Sequence, residues 1–408
     1  MSLAIIGAGP GGLVALKEAL ETKFFTSVTV LEKKDTVGGQ WSRDISVYPD
    51  LRLNTSRLLS GYSDFPIQES AEEYLTFGEY SAYISNYAKN FDLERHVTFS
   101  ATVIDVTPAH DSVGAYGWKV TWETQSIRKT QIFHWVICAS GAFSIPKPLV
   151  LNGFTGTHAH SSDFDKVKNE SGTVLIVGAG STALDIASLL AKSAKVTLSV
   201  RSESLVVPRW IDSLNSDGLA GIRDGRISVM PAAVGAIGKN VLFSNGQTMV
   251  FDSVLEATGY DRKFSYLGSE WFPLASDKTY GLFKKIYPLT AQNMAFVGFT
   301  RSTGSVLVCM EIQVRHILAV FQQKISLPPF EHMINSRDIQ SKDVIFGLHY
   351  YDRLMRELGC DPPIWSSWVC DPSLAWILWF RPANVLQWRI RGAGAYEWAA
   401  DALKSLFL

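Results

Sequence analysis

Short apolar runs that end at glycines, each followed by a helical stretch, organise this chain. Ala4-Ile5-Ile6 predicts a buried strand, Leu13 to Leu20 has helical apolar spacing, and Val28 to Leu31 predicts a second strand ending at Glu32. The same order returns later, with Thr173 to Val177 as strand, Leu184 to Lys192 as helix and Val196 to Val200 as strand. Between the copies, Tyr80, Tyr83, Ile84, Tyr87 and Ala88 place a helix over Glu79 to Phe91. Val97 to Phe99, Ala101 to Val106 and Trp118 to Trp122 alternate, which predicts a small antiparallel meander. Phe133 to Ala139 predicts a buried strand, Phe251 to Tyr260 echoes it, and Met294 to Gly298 is a further strand. Ser305 to Phe321 reads as a helix carrying Glu311, Gln313 and Arg315, either a core helix with an exposed polar side or one whose opening turn reaches a ligand. The pattern predicts an α/β protein with two Rossmann-like dinucleotide-binding domains.

The glycines give the turns their chemistry. Gly7, Gly9 and Gly12 stand at G-x-G-x-x-G spacing, with Gly11 beside them. Such glycines allow a tight turn, let the backbone approach a pyrophosphate, and let the helix pack on its strand. Glu32 stands where a carboxylate accepts hydrogen bonds from an adenosine ribose. In the second copy Gly178, Gly180 and Ala183 give G-x-G-x-x-A, with Ser181 and Thr182 opening the helix. There Val200 stands opposite Glu32, followed by Arg201 and Ser202. A guanidinium without a carboxylate at that corner favours a 2′-phosphate, hence NADP; Glu203 is the competing acid that would hold a free ribose.

With 408 residues and a net charge of −1, the chain has room for two domains and lacks the basic footprint of a nucleic-acid binder. The four cysteines, Cys138, Cys309, Cys360 and Cys370, are scattered and form no C-x-x-C, as expected of reduced thiols. The best apolar run, around Ser373 to Phe380, is interrupted by Asp371-Pro372 and Arg381-Pro382. The first motif begins at residue 4, so a soluble cytoplasmic protein without an integral membrane segment is expected. Pro146 to Pro148 and Gly259 to Arg262 read as linkers, which gives a first domain from 1–145 and 265–408 with 146–264 inserted and a hinge permitted. Gly38-Gly39-Gln40-Trp41 either passes over a flat ring or is an ordinary turn. Leu51 to Ser56, with Asn54 and Thr55, is a polar stretch placed to line a site. Trp365, Trp368, Trp376, Trp379, Trp388 and Trp398 either wall an apolar pocket or seal the first domain.

These residues together resemble the flavin-containing monooxygenases of the N-hydroxylating and S-oxygenating kind. The most specific segment runs from Phe154 to Phe164 and matches F-x-G-x-x-x-H-x-x-x-(F or Y) through Phe154, Gly156, His160 and Phe164. The likeness takes in nearly the whole chain, including Asp185-Ile186-Ala187, Ala257-Thr258-Gly259-Tyr260, Glu311-x-Gln313-x-Arg315 and Arg389 to Trp398. Ser140 and Ser181-Thr182-Ala183 depart from the usual A-T-G and N-S-G turns without adding bulk.

The resemblance implies FAD and NADPH as cofactors. It places cofactor contacts at Gly7, Gly9, Gly11, Gly12, Glu32, Gly39, Gln40, Trp41, Asn54, Thr55, Val103, Gly178, Gly180, Ser181, Thr182, Ala183, Arg201, Ser202 and Gln313. It implies a C4a-hydroperoxyflavin that oxygenates an amine nitrogen or sulfur of a small molecule, such as an aromatic or alkaloid-like metabolite. Asn54 would be the catalytic amide; by itself it reads as a turn residue capping Ser56 or Arg57. His160 either fixes a hinge or moves a proton. The partners expected are a small nucleophilic substrate and O2, with a homodimer as a compatible assembly. Three other readings stay open. The related Baeyer–Villiger enzymes carry Trp then Pro or Asp where Phe164-Asp165 stands; an NADPH-dependent flavin reductase shares the double plan; a non-catalytic dinucleotide sensor would not need both motifs intact.

Overall fold

Leu3, Ala4 and Ile5 are wholly buried in β1 (Ser2–Ile6) of the computed structural model. The structure describes all residues except 45–46, 69, 202–213, 262, 269–280, 292, 303–304, 337–343, 346, 382 and 408. The chain forms two units. Met1–Arg43, Thr55–Gly141 and Phe264–Leu408 make the first, and Asp44–Asn54 with Ala142–Lys263 make the second.

In the first unit β1 leads through α1 (Pro10–Thr22) to β2 (Ser27–Leu31). The parallel sheet has the order Met294–Phe296, Trp135–Cys138, β1, β2, Val97–Thr98. β1 and Trp135–Cys138 at its centre are apolar runs without alternation, as strands covered on both faces require. Val97–Thr98, expected in the meander, instead extends this sheet: Val97 pairs with Val30, and the Glu32 N–H donates to the Thr98 carbonyl at 3.0 Å. The meander is built by Thr102–His110, Tyr116–Thr124 and Ile127–Phe133, with Trp118 and Val120 turned inward and Lys119 outward.

The second unit repeats the device with β3 (Thr173–Val177), α2 (Ser181–Leu190) and β4 (Lys195–Ser199). Its parallel sheet runs Ile227–Met230, β4, β3, Ser253–Glu256, Thr157–His160. The fingerprint segment thus supplies an edge strand, and its Phe164 is buried in the core. The two stretches read as linkers pair with each other: Ile145–Pro146 runs antiparallel to Tyr260–Asp261, and the Lys147 N–H donates to the Gly259 carbonyl at 3.1 Å. Arg262 lies outside the described residues.

Asp44–Asn54 lies in sequence within the stretch read as the first domain, yet it packs with the second unit. The reason is Tyr48. Its ring is buried in the second core, edge-on to Phe164 at 6.3 Å, and Leu51 packs against the same cluster.

The helices from Val306 onward belong to the first unit. In α3 (Val306–Phe321) the polar residues are not on an exposed side: Glu311, Gln313, Arg315 and His316 are all buried and hydrogen-bonded. Further on come α4 (Ile364–Cys370), α5 (Pro372–Phe380) and α6 (Ala399–Phe407), where Leu374, Ile377, Leu386, Ala399 and Leu403 form a small core. Of the late tryptophans, Trp388 is buried and donates to Asp352 at 2.8 Å. Trp365, Trp368, Trp376, Trp379 and Trp398 are exposed, so these five lie outside the core of the unit.

Candidate functional site

The two glycine turns are closed by the same backbone hydrogen bonds. The Gly7 N–H donates to the Leu31 carbonyl at 2.9 Å, and the Gly178 N–H to that of Ser199 at 3.0 Å. Both glycines hold positive φ, +103° and +132°. A Cβ at Gly7 would stand 2.7 Å from the Ala139 oxygen, and one at Gly178 2.5 Å from the Ala257 oxygen. Ala139 and Ala257 in turn donate to Ile6 and Val177, each at 2.9 Å. One position separates the copies. A Cβ at Gly12 would overlap the Gly7 carbonyl oxygen, whereas its counterpart Ala183 is accommodated fully buried. Helix α1 therefore packs closer to its turn than α2 does.

Neither α1 nor α2 has a side-chain cap or an acid in its first turn, so both N-termini keep an uncompensated positive dipole end. At Gly180 a Cβ would meet nothing within 4 Å, and at Gly9 it would find only the backbone of Gly39, 3.6 Å away. Each turn is thus a cradle of backbone with open space before a helix N-terminus, which fits the pyrophosphate of a dinucleotide.

The first cradle is closed by its neighbours. Glu32 is buried, and its carboxylate accepts the Ala8 N–H at 2.6 Å and the Lys34 N–H at 2.9 Å, so it holds the turn as well as facing it. A carboxylate has about four lone-pair sites, which leaves capacity for a ribose. The Gly38 N–H donates to the Ala8 carbonyl at 2.9 Å, and a Cβ at Gly39 would stand 2.9 Å from the Gly9 Cα. Gln40 is exposed, while Trp41 stacks on Phe77 at 5.7 Å and meets Tyr80 edge-on at 4.7 Å. Val103 is buried in the meander opposite Trp122, two residues after Ala101, whose N–H donates to the Glu32 carbonyl at 2.8 Å. Thr55 shares a 2.6 Å hydrogen bond with Ser60.

Gln313 is wholly buried on α3. Its Oε1 accepts the Gly298 N–H at 3.0 Å and its Nε2 donates to the Tyr350 hydroxyl at 2.9 Å. It fixes the Val297-Gly298 turn, and a Cβ at Gly11 would stand 3.1 Å from Val297. Sequence reasoning missed the charged cluster beneath α1. The buried Arg389 guanidinium donates to Glu18, to Glu311 at 2.9 Å, to Ser63 at 2.9 Å and to the Gly394 carbonyl at 3.0 Å. Arg315 donates to the carbonyls of Trp388 at 2.9 Å and Ala393 at 2.8 Å. The signal available was the polar spacing of Glu311, Gln313 and Arg315 on an otherwise apolar helix.

In the second unit Ser181 is exposed, Thr182 half-buried, and Arg201 exposed just past the end of β4. Ser202 and Glu203 lie outside the described residues. Asn54 is exposed at the end of the segment anchored by Tyr48, whose hydroxyl donates to Asp185 of α2. His160 is buried, with its Nε2 donating to the Gly259 carbonyl at 2.9 Å and its Nδ1 accepting the Ser162 N–H at 3.1 Å. Burial lowers its pKa, and its ring bonds pin the Gly259 turn inside the second unit. Its neighbour His158 shares a 2.8 Å hydrogen bond with the buried Glu256.

Two glycine turns of dinucleotide-binding form, each with open space before a helix N-terminus, define the class: a protein with two nucleotide-binding folds on one chain. The chain belongs to the flavin-binding monooxygenase-like family, whose model matches residues 1–215 and 212–406. It is accordingly a flavin-dependent monooxygenase, of a family that binds FAD, uses NADPH and acts with O2 on small substrates. Dimethylaniline monooxygenase (N-oxide-forming) 4 of Mus musculus is 27% identical, with 98% of this chain aligned to 86% of that protein. Flavin-containing monooxygenase 1 of Homo sapiens is also 27% identical, over 98% of this chain and 91% of its own. The structure of S-allyl-L-cysteine S-oxygenase from Allium sativum shares the fold, with a TM-score of 0.70 and 21% identity over 100% of this chain and 98% of that one. Among the described residues no helix is long and apolar enough to cross a membrane.

Proposed function

We propose that this protein uses NADPH and O2 to oxygenate a soft nucleophile, an amine nitrogen or a sulfur, on a small organic substrate. The observation that carries the reading is the pair of like cradles with unlike corners. Glu32 suits the free ribose of FAD, and Arg201 suits the 2′-phosphate of NADPH. Bound FAD supplies the oxygen chemistry and NADPH the reducing equivalents. The chain's own residues bind and orient. The N-termini of α1 and α2 take the pyrophosphates, Gln313 and Gly38 brace the first turn, and Asn54 offers a donor and an acceptor without a titrating charge. The relatives named for N-oxide formation and S-oxygenation support nitrogen or sulfur as the target.

A thiol-based reductase is disfavoured. All four cysteines are unpaired, and burial pushes the Cys138 and Cys309 thiols up to about 12, far from a thiolate at neutral pH. The purified flavoprotein is to be given NADPH and oxygen-18 gas with a panel of amines and thioethers. Labelled N- or S-oxide confirms the reading. NADPH oxidation that yields only hydrogen peroxide across both substrate classes refutes it.

A further inference from the structure

A cavity of about 480 Å³ opens in the first unit where α3 ends, with Phe283, Ile325 and Pro328 as its apolar lining and Lys284, Lys324 and Glu357 as its charges. Sites for small organic molecules have this size and this mixture of an apolar wall with a few polar groups. The cavity is remote from the first glycine turn. Near that turn α3 contributes Met310, whose sulfur would stand 3.4 Å from a Cβ at Gly11. From Met310 to Phe321 the helix rises about 16 Å, and Lys324 lies beyond its end.

Lys284 is held at the wall by an unfavourable backbone. Lys284 and Lys285 turn the chain between the paired strands Leu282–Phe283 and Tyr287–Pro288, with φ of +53° and +56°. Glycine and asparagine adopt that left-handed form more readily than lysine does. The Lys284 side chain is only 9% exposed, and its ammonium donates to Oε1 of Glu357. Oε2 of Glu357 faces His316 Nε2 at 2.9 Å, so that nitrogen carries a proton and takes none from Lys284. The Tyr287 hydroxyl meets the other ring nitrogen at 2.7 Å. An ammonium has three donors, and Glu357 uses one, so Lys284 keeps capacity for an incoming acceptor. The exposed Lys324 ammonium has no hydrogen bond or ion pair among the described residues. Two ammonium groups against one carboxylate leave the cavity with one positive charge in excess, which a single carboxylate would balance.

We propose that this cavity binds a small organic carboxylate, its anionic end between Lys284 and Lys324 and its apolar body on Phe283, Ile325 and Pro328. The proposal does not depend on the substrate or the reaction. Fluorine NMR titration of 4-fluorobenzoate tests it, on FAD-loaded protein saturated with NADP⁺ so that both glycine turns are filled. Neutral 4-fluorobenzyl alcohol is the control. The parent should bind the acid and not the alcohol, and more weakly as salt is raised. Lys324→Ala should weaken binding about fivefold, the scale of one exposed ion pair, Lys324→Glu should weaken it further, and Lys324→Arg should match the parent. Lys284→Met should abolish binding; because it also takes a donor from Glu357, the exposed Lys324 series keeps the test independent of folding. A parent that does not bind the acid overturns the proposal. So does binding that Lys324→Ala and Lys324→Glu leave unchanged, which would put the acid elsewhere and leave Lys324 only offsetting the dipole of α3.

Discussion

The Tyr48 hydroxyl donates to the Asp185 carboxylate at 2.9 Å, across 137 positions of sequence. Both groups are buried, so the bond ties the segment that ends at Asn54 to helix α2. Tyr48→Phe removes a donor from a buried carboxylate, which should cost about 1–3 kcal/mol. Equilibrium unfolding of Tyr48→Phe, Asp185→Asn and the double variant would measure it. Additive losses would mean the two groups are not coupled.

Gly12 and Gly180 should answer an alanine in opposite ways. At Gly12 the new methyl overlaps the Gly7 carbonyl oxygen, so the protein should lose FAD and unfold early. At Gly180 it meets nothing within 4 Å, so stability should change by no more than about 0.5 kcal/mol. The methyl there protrudes into the second cradle, and NADPH should bind about tenfold or more weakly. Unchanged NADPH affinity in Gly180→Ala, read by titration, would place the phosphates elsewhere.

Arg201→Ala tests the nucleotide preference. A guanidinium–phosphate contact is charge-assisted, and its loss should weaken NADPH about ten- to a hundredfold while NADH changes little. Equal use of NADPH and NADH by the unaltered protein would remove the reason for assigning Arg201 to the 2′-phosphate.

Asn54→Ala should leave flavin reduction by NADPH nearly intact and lower product formation by about a hundredfold or more, the order expected for one aligned donor. The diverted oxygen should appear as hydrogen peroxide. Full coupling of NADPH to product in this variant would show that Asn54 only shapes its turn.

Acid sensitivity should be readable at Glu357. Burial opposes its ionisation, but hydrogen bonds from His316, at 2.9 Å, and from Lys284 hold its pKa down to about 2, against 4.5 for an ordinary glutamate. A carboxyl lowered on folding stabilises above the unfolded value and loses that contribution as pH falls toward the folded one. The parent should therefore lose stability between about pH 4.5 and 2 more steeply than Glu357→Gln. Parallel slopes in urea melts at pH 5 and 3 would contradict the pairing.

The legible parts of the molecule were those that local rules control. Gly7, Gly12 and Gly178 are demanded by a turn a few residues long, and Glu32 ends its own strand, so spacing sufficed to place both cradles. Val97 was read into the wrong sheet because its alternation suits either, and only the pairing with Val30 chooses. Glu311 was read as half surface because its partners, Ser63 and Arg389, stand 248 and 78 positions away. Gln313 was read as touching the cofactor, and its amide bonds to Gly298 and Tyr350 could be seen only once the chain had folded. Tyr48 gave no sign of leaving the unit that surrounds it in sequence, since a buried phenol and a buried aspartate announce themselves only once they meet.

The chain passes between its two units four times, at 43–44, 54–55, 141–142 and 263–264. Exchanging 142–263 for the matching piece of a relative would therefore swap only part of the second unit. Tyr48 and Leu51 would stay behind and meet a foreign helix in place of Asp185 and its neighbours. A working chimera has to carry residues 44–54 along with the larger piece, so the smallest transplantable cassette is two separate stretches of sequence rather than one.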